Sequence, residues 1–242
     1  MGQRELRDFL KLFEFKSDMG GFVGVEREHF LQSERGDFAP LASDFLRLMA
    51  DSRWTYELSA CQVEDRTRPQ KDFSAIEAEL LENNNDGALV AGKMGLRLTN
   101  VEVAAEGMPP DIYPDPRYLA ISRRASQDMI MAARRVIGTH LHFGVEDVER
   151  ALWVYNAIIP HLDELCRIGD HSAGKRMELY KTMATNWQPP SYRHVGDLFE
   201  TACAQGFAKN PRDCWHLVRI SVHGTVELRM FGASNHVDEI MF

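Results

Sequence analysis

The chain has 242 residues, 44% of them hydrophobic and 26% charged, with a formal net charge of −8. That balance supports a core without metal or disulfide staples and excludes a nucleic-acid binder, which needs a basic face. The four cysteines form no C-x-x-C pair, and no run approaches the roughly 20 apolar residues of a membrane span, so a zinc knuckle and a membrane protein are excluded and a cytoplasmic location is expected.

Residues 4–15 read as an amphipathic helix with Leu6, Phe9, Leu10 and Phe13 on one side. Gly20 and Gly21 break the chain, and 22–31 reads as a strand, with Val23 and Val25 on one face and Glu26, Glu28 and Phe30 on the other. Pro40 marks a helix start, followed by Leu41, Phe45, Leu48 and Met49 at helical spacing. Residues 54–67 look extended. A helix begins near Asp72, and local propensity predicts that Asn83-Asn84-Asn85-Asp86-Gly87 interrupts it. A strand is expected over 96–103, a Pro-rich loop over 108–116, a helix over 126–136 and a strand over 137–145. Asp147 caps a helix to about Arg167, which Pro160 should kink. Residues 170–195 read as irregular and polar, and 197–205 as a helix. A hairpin, 216–222 and 225–231, turns at His223-Gly224. About six strands without strict alternation predict an α+β fold: one largely antiparallel sheet with helices packed on one face, in a single domain over 1–242.

Strand periodicity gathers polar groups. Glu26 and Glu28 share a face, as do His140 and His142, and Glu227 and Arg229, while Val226, Leu228 and Met230 take the opposite face. If the apolar faces pack inward, Glu26, Glu28, Glu64, Glu227, two histidines and an arginine form one concave surface. Clustered carboxylates repel unless cations neutralise them. Oxygen ligands with one or two imidazoles suit Mg²⁺ or Mn²⁺ better than structural zinc. Glu57 and Glu64 are seven apart, so a regular strand would put them on opposite faces. Either a bulge or bend lies between them, or only one is a ligand.

The segment Gly24-Val25-Glu26-Arg27-Glu28 resembles the G-x-E-x-E strand of the glutamate–cysteine ligase type 2 family, the YbdK-like carboxylate–amine ligases. Glu57 to Thr67 is similar to its E-L-x-x-x-Q-x-E-x-x-T block. Thr139 to Val145 resembles its H-V-H-V-G strand, Ser172 to Arg176 its S-x-R segment, and Gly224 to Arg229 its G-T-V-E-V/F-R strand. The helix with Pro160-His161 also matches, so the resemblance runs from about residue 20 to the end.

The resemblance implies a glutamine synthetase-like catalytic sheet, ATP with two or more Mg²⁺ ions (or Mn²⁺), and a helix continuing through the Asn-rich stretch. Glu26, Glu28, Glu57, Glu64, His140 and Glu227 are then the expected metal ligands. Arg229 and Arg176 are the expected contacts to the transferring phosphate, and Gln62 is expected at the cofactor. The expected chemistry joins an amino-acid carboxylate to an amine through an acyl phosphate. Three features depart from the family. Phe143 and Arg27 are bulkier or more charged than the neighbours typical at those places. Gly107-Met108-Pro109-Pro110 lacks the histidine of a G-T-H-P-like loop, and the chain ends soon after the Glu227 strand, where relatives usually continue. A homodimer could supply a closing segment. No G-x-x-x-x-G-K-[ST] loop is present, which excludes a P-loop ATPase. Two rival readings stand beside the ligase: a zinc hydrolase built on His140 and His142, and a non-catalytic relative that binds a nucleotide or an amino acid.

Overall fold

A computed structural model describes residues 2–234 and 236–241. Among these residues, seven antiparallel strands form one sheet: β1 (Val23–Ser33), β2 (Trp54–Tyr56), β3 (Gln62–Arg66), β4 (Leu96–Thr99), β5 (Gly138–Gly144), β6 (Val218–Ser221) and β7 (Thr225–Gly232). Their order is β2-β3-β1-β5-β7-β6. Phe30 faces Gln62 on one side and Thr99 on the other, so β4 continues the edge of β1 that β5 occupies. Among the described residues, ten α-helices surround the sheet: α1 (Gln3–Leu10), α2 (Ala42–Met49), α3 (Phe73–Lys93), α4 (Pro116–Arg124), α5 (Gln127–Arg135), α6 (Val148–Ile158), α7 (Leu162–Ile168), α8 (Lys175–Met183), α9 (Val195–Gln205) and α10 (Val237–Met241). The fold is therefore α+β on an antiparallel sheet. No helix among the described residues is long and apolar enough to cross a membrane.

The apolar strand faces pack as their periodicity dictates. Val226, Leu228 and Met230 bury against Ala151, Leu152 and Tyr155 of α6, and Val25 against Ile76 and Leu80 of α3. Phe9 of α1 meets Phe199 of α9 with ring centroids 5.2 Å apart. Pro160 divides the expected long helix into α6 and α7 through a short 3₁₀ turn, Ile159–His161.

Five segments differ from the local reading, the last of them α3. The extended 54–67 stretch is two strands, because residues 57–61 bend out of register; there Ser59 bridges Ile112. The strand expected over 96–103 ends at Thr99, and only Val103 pairs further, with Val136. The Pro-rich loop ends in α4, where Asp115 caps the first turn by accepting from the Arg117 and Tyr118 amides and Pro116 holds N1. The irregular 170–195 region contains α8. Its entry is set by Asp170, which accepts hydrogen bonds from Ser172 and Gly174.

Helix α3 runs unbroken through Asn83 to Gly87, as the resemblance implied. Tertiary contacts override local propensity there. Asn83 is fully buried, and its amide donates to Asp65. A Cβ at Gly87 would sit 2.6 Å from both Leu98 and Trp54. Gly87→Ala should thus destabilise the protein by about 1–3 kcal/mol through overpacking, against the roughly 1 kcal/mol it gains in helix propensity. Urea unfolding of this variant checks the sign; a more stable variant would mean that α3 does not lie this close to β4.

Candidate active site

One sheet face carries the charged residues. Register places Glu28 opposite Glu64, Glu26 opposite both Arg66 and His140, and Glu227 opposite both His142 and Arg219. With alternate residues sharing a face, β3, β1, β5, β7 and β6 in turn present Glu64, Glu26 with Glu28, His140 with His142, Glu227, and Arg219. The bend after β2 carries Glu57 to the same place, which answers its odd spacing.

Three overlapping groups result, each with ligand atoms within 4.8 Å of one another: Glu28, Glu57 and Glu64; Glu26, Glu64 and His140; Glu26, His142 and Glu227. Glu64 and Glu26 are each shared by two groups. His140 Nδ1 lies 3.6 Å from Glu26, and its Nε2 lies 3.9 Å from Glu28. His142 Nε2 is 3.2 Å from Glu26. None of the three groups joins the two imidazoles.

The electrostatics record this crowding. Burial, and then the neighbouring Glu57, pushes the Glu28 carboxyl up to about 8. Burial followed by Glu26, Glu57 and Glu28 raises Glu64 well above the usual carboxylate range. Burial also opposes the charge of Glu26, but His142 and His140 outweigh it and hold that carboxyl low. His140 is pushed down to about 4 by burial and by Arg229. His142 is raised, because Glu26 and Glu227 outweigh its burial.

Of the remaining expected residues, Gln62, Arg176 and Arg229 line the cavity and Glu227 lines the hollow beside it. Gln62 is buried and its donors are spent: its amide donates to the carbonyls of Arg134 and Val136, and its oxygen accepts from Ser59. All three guanidinium nitrogens of Arg176 donate to carbonyls, of Ile137 at 2.8 Å, Met230 at 2.9 Å and Arg229 at 3.1 Å. The last two lie at a bulge, where Thr139 pairs with Phe231 but Leu141 with Leu228, so Arg176 satisfies carbonyls next to a broken ladder. Gly138 permits this approach, since a Cβ there would be 2.3 Å from the Arg176 guanidinium. Both oxygens of Glu227 are held by Arg219, at 2.6 and 3.0 Å, and Arg229 donates to one of them as well. Burial disfavours the Glu227 charge, but Arg219 and Arg229 hold it far below the usual range. Its Oε2 accepts only the Arg219 Nε bond, which leaves that oxygen capacity for a cation beside Glu26 and His142.

Local reading missed three contributors. The Tyr118 hydroxyl donates to Glu57 at 3.0 Å, and Arg117 donates to the Arg212 carbonyl at 3.3 Å. Helix α4 thus bridges the β2–β3 bend and the 211–213 turn. The Asp115-Pro116 pair is the cap signature that would have revealed it. Arg219, on the same face as Glu227, follows from strand alternation once the hairpin register is known. The cavity holds about 190 Å³. Its acidic floor is Glu26, Glu28, Glu57, Glu64 and His140, with Arg229 at the side, and its apolar wall comes from α4, α5 and α8, including Ile121, Met129, Ile130 and Met183. A second, adjoining hollow shares Glu26 and Arg219 and contains His142 and Glu227.

Comparison with known proteins gives a consistent result. The model of glutamate–cysteine ligase family 2 matches residues 22–164, more than half of the chain. A glutamate–cysteine ligase of Natronomonas pharaonis is 26% identical over 239 residues, covering 88% of this chain and 64% of that protein. One of Halobacterium salinarum is 26% identical over 235 residues, covering 86% and 63%. The chain thus spans just under two thirds of these relatives' length. A solved glutamate–cysteine ligase of Francisella tularensis in complex with AMP matches with a TM-score of 0.45 at 12% identity, over 64% of this chain and 35% of that one, a likeness that carries no argument.

The raised carboxyls predict a pH signature. Glu28 and Glu64 hold a proton more tightly folded than unfolded, so the metal-free protein should lose stability as pH climbs from 7 towards the Glu28 value of about 8. Raised His142 acts in the same direction, whereas lowered His140 acts only below the usual histidine range. A divalent cation competes with those protons. The thermal shift on adding Mg²⁺ should therefore be larger at pH 8 than at pH 6. A shift independent of pH would contradict this assignment of the acids.

Proposed function

Because the chain belongs to glutamate–cysteine ligase family 2, we propose that it carries the catalytic sheet of an ATP- and Mg²⁺-dependent carboxylate–amine ligase. The observation that supports this most is the run of three carboxylate and imidazole groups sharing Glu26 and Glu64, two of them on the floor of one cavity and the third reaching into the hollow beside it. The donor set fits the ion: it is mostly carboxylate oxygen with imidazole, which suits Mg²⁺ or Mn²⁺. Two of its carboxyls, Glu28 and Glu64, carry raised proton affinities that only a strong positive charge nearby would reverse.

In the proposed reaction a carboxylate oxygen of the acid attacks the γ-phosphorus of ATP, and ADP leaves. The amine nitrogen then attacks the acyl carbon of the resulting acyl phosphate. Inorganic phosphate departs, and the nitrogen loses a proton to give the amide. Glu26, Glu28, Glu57, Glu64 and His140 would hold the cations, and Glu227 would join them through the oxygen that accepts a single arginine bond. Bound there, Mg²⁺ supplies charge that neutralises phosphate oxygens. Arg229 is the proposed cation for the transferring phosphoryl group. Its Nη1 is on Glu227 and its Nε near the Tyr180 hydroxyl, which leaves Nη2 without a protein partner among the described residues. Arg176 braces the bulge beside Arg229 with one N–H from each of its nitrogens, and its two remaining N–H groups, at the lining of the same cavity, would serve as a further contact for the phosphate. The apolar wall would exclude water from a hydrolysable intermediate.

The reading is tested by screening pairs of amino acids and amines for phosphate release from ATP in the presence of Mg²⁺. Release that requires both an acid and an amine is the expected result. Glu26→Gln should weaken Mn²⁺ binding by at least the roughly 10–100-fold that changing an outer-shell partner costs and abolish turnover with little change in unfolding midpoint. A Glu26→Gln protein that binds Mn²⁺ and turns over like the parent would contradict the assigned role.

A further inference from the structure

We propose that Asp65, with Arg27, His29 and Asn83, is a positioning residue for the carboxylate cluster, locking β1 to β3 from the opposite face of the sheet. The proposal rests on reading that cluster as the cation site. Strand alternation sets the arrangement: Arg27 and His29 lie behind Glu26 and Glu28, and Asp65 lies behind Glu64. Arg27 pairs with Asp65 on the rung next to the Glu28–Glu64 rung.

Asp65 is the hub. Its Oδ1 accepts from Arg27 Nε at 3.1 Å and lies 2.6 Å from His29 Nε2. Its Oδ2 accepts from Arg27 Nη2 at 2.9 Å and from Asn83 Nδ2 at 2.7 Å. The Arg27 and Asp65 side chains are both fully buried. Arg27 also donates to the Leu80 carbonyl at 3.1 Å, and the Asn83 amide also reaches the Arg66 carbonyl at 3.3 Å, which ties both strands to α3. The other nitrogen of His29 meets Asn100, whose amide donates to the Ser234 carbonyl.

Stability alone does not account for this choice of residues. Neighbours on the same face are apolar, with Val25 packed on Ile76 and Leu80. A buried ion pair gives no more stability than well-packed apolar residues of similar size. Arg27 Nη1 and Asn83 Oδ1 even remain buried without partners, a cost that an apolar core avoids. What the network provides is direction. Bidentate bonds define register and separation in a way that methyl groups do not. That matters here because Glu28 and Glu64, on these two strands, repel each other until a cation arrives. A slip of one residue would turn every carboxylate to the wrong face.

The test compares Mn²⁺ affinity, read from free Mn²⁺ by electron paramagnetic resonance, with the urea unfolding midpoint, in the whole 242-residue chain. The double variant Arg27→Met, Asp65→Leu should fold and yet bind Mn²⁺ roughly 10–100-fold more weakly. Asn83→Ala, which leaves the ion pair intact, should shift affinity in the same direction by less. Phe9→Leu, in the core cluster that contains α1 and α9, should lower the midpoint and leave Mn²⁺ affinity unchanged. Parent-like Mn²⁺ affinity in the double variant overturns the proposal. If the double variant does not fold, Asn83→Ala decides, and unchanged affinity there overturns it. An equal loss of affinity in Phe9→Leu also overturns it, since the effect would then be general destabilisation. A parent that takes up no Mn²⁺ refutes the cation-site reading first, and the proposal with it.

Discussion

Like charges brought close together in a buried place dominate this molecule. Glu28, Glu57 and Glu64 converge within 4.8 Å, and Glu26 joins Glu64 through a second group. Without compensation such a floor either takes up protons or spreads apart. The protein answers in three ways. It keeps protons on Glu28 and Glu64. It sets imidazoles and arginines beside Glu26 and Glu227. It pins the strands from behind with a bidentate Arg27–Asp65 pair. Each device holds the acids in position for a positive partner.

The surrounding elements follow from that demand. A five-strand face aligns the acids because antiparallel register fixes which residues stand opposite one another. Arg176 braces the β7 bulge, and Arg219 grips Glu227, so two arginines serve the framework while Arg229 keeps an open nitrogen on the cavity. Helix α4 joins the two rims through Tyr118 on Glu57 and Arg117 on the 211–213 turn. The apolar wall then places a low-dielectric surface against charged groups, where electrostatic interactions act most strongly.

Much of this arrangement was legible in the residues. The two-residue spacings Glu26/Glu28, His140/His142 and Glu227/Arg229 specify shared faces, and the observed sheet gathers them at one cavity and the hollow beside it. What local reading lost depended on distant contacts. The Asn-rich stretch is helical because Asn83 meets Asp65 and Gly87 fits beneath Trp54, neither of which lies near in sequence. Arg27 looked out of place in its strand until Asp65 stood opposite it. The bend at residues 57–61 could be posed as an alternative but not chosen, since it depends on a bridge to Ile112. The departure at residues 107–110 has a structural counterpart: Met108 is buried beside Phe30 and Ile137, where it fills core and offers no ligand.

Anomalous X-ray scattering from crystals of the parent protein soaked in Mn²⁺ and a non-hydrolysable ATP analogue would locate the cations. Separate manganese peaks are expected in the cavity, one bounded by Glu28, Glu57 and Glu64 and another by Glu26, Glu64 and His140, with the analogue's phosphates against them. Crystals that hold the analogue but show no manganese among these side chains would contradict that placement.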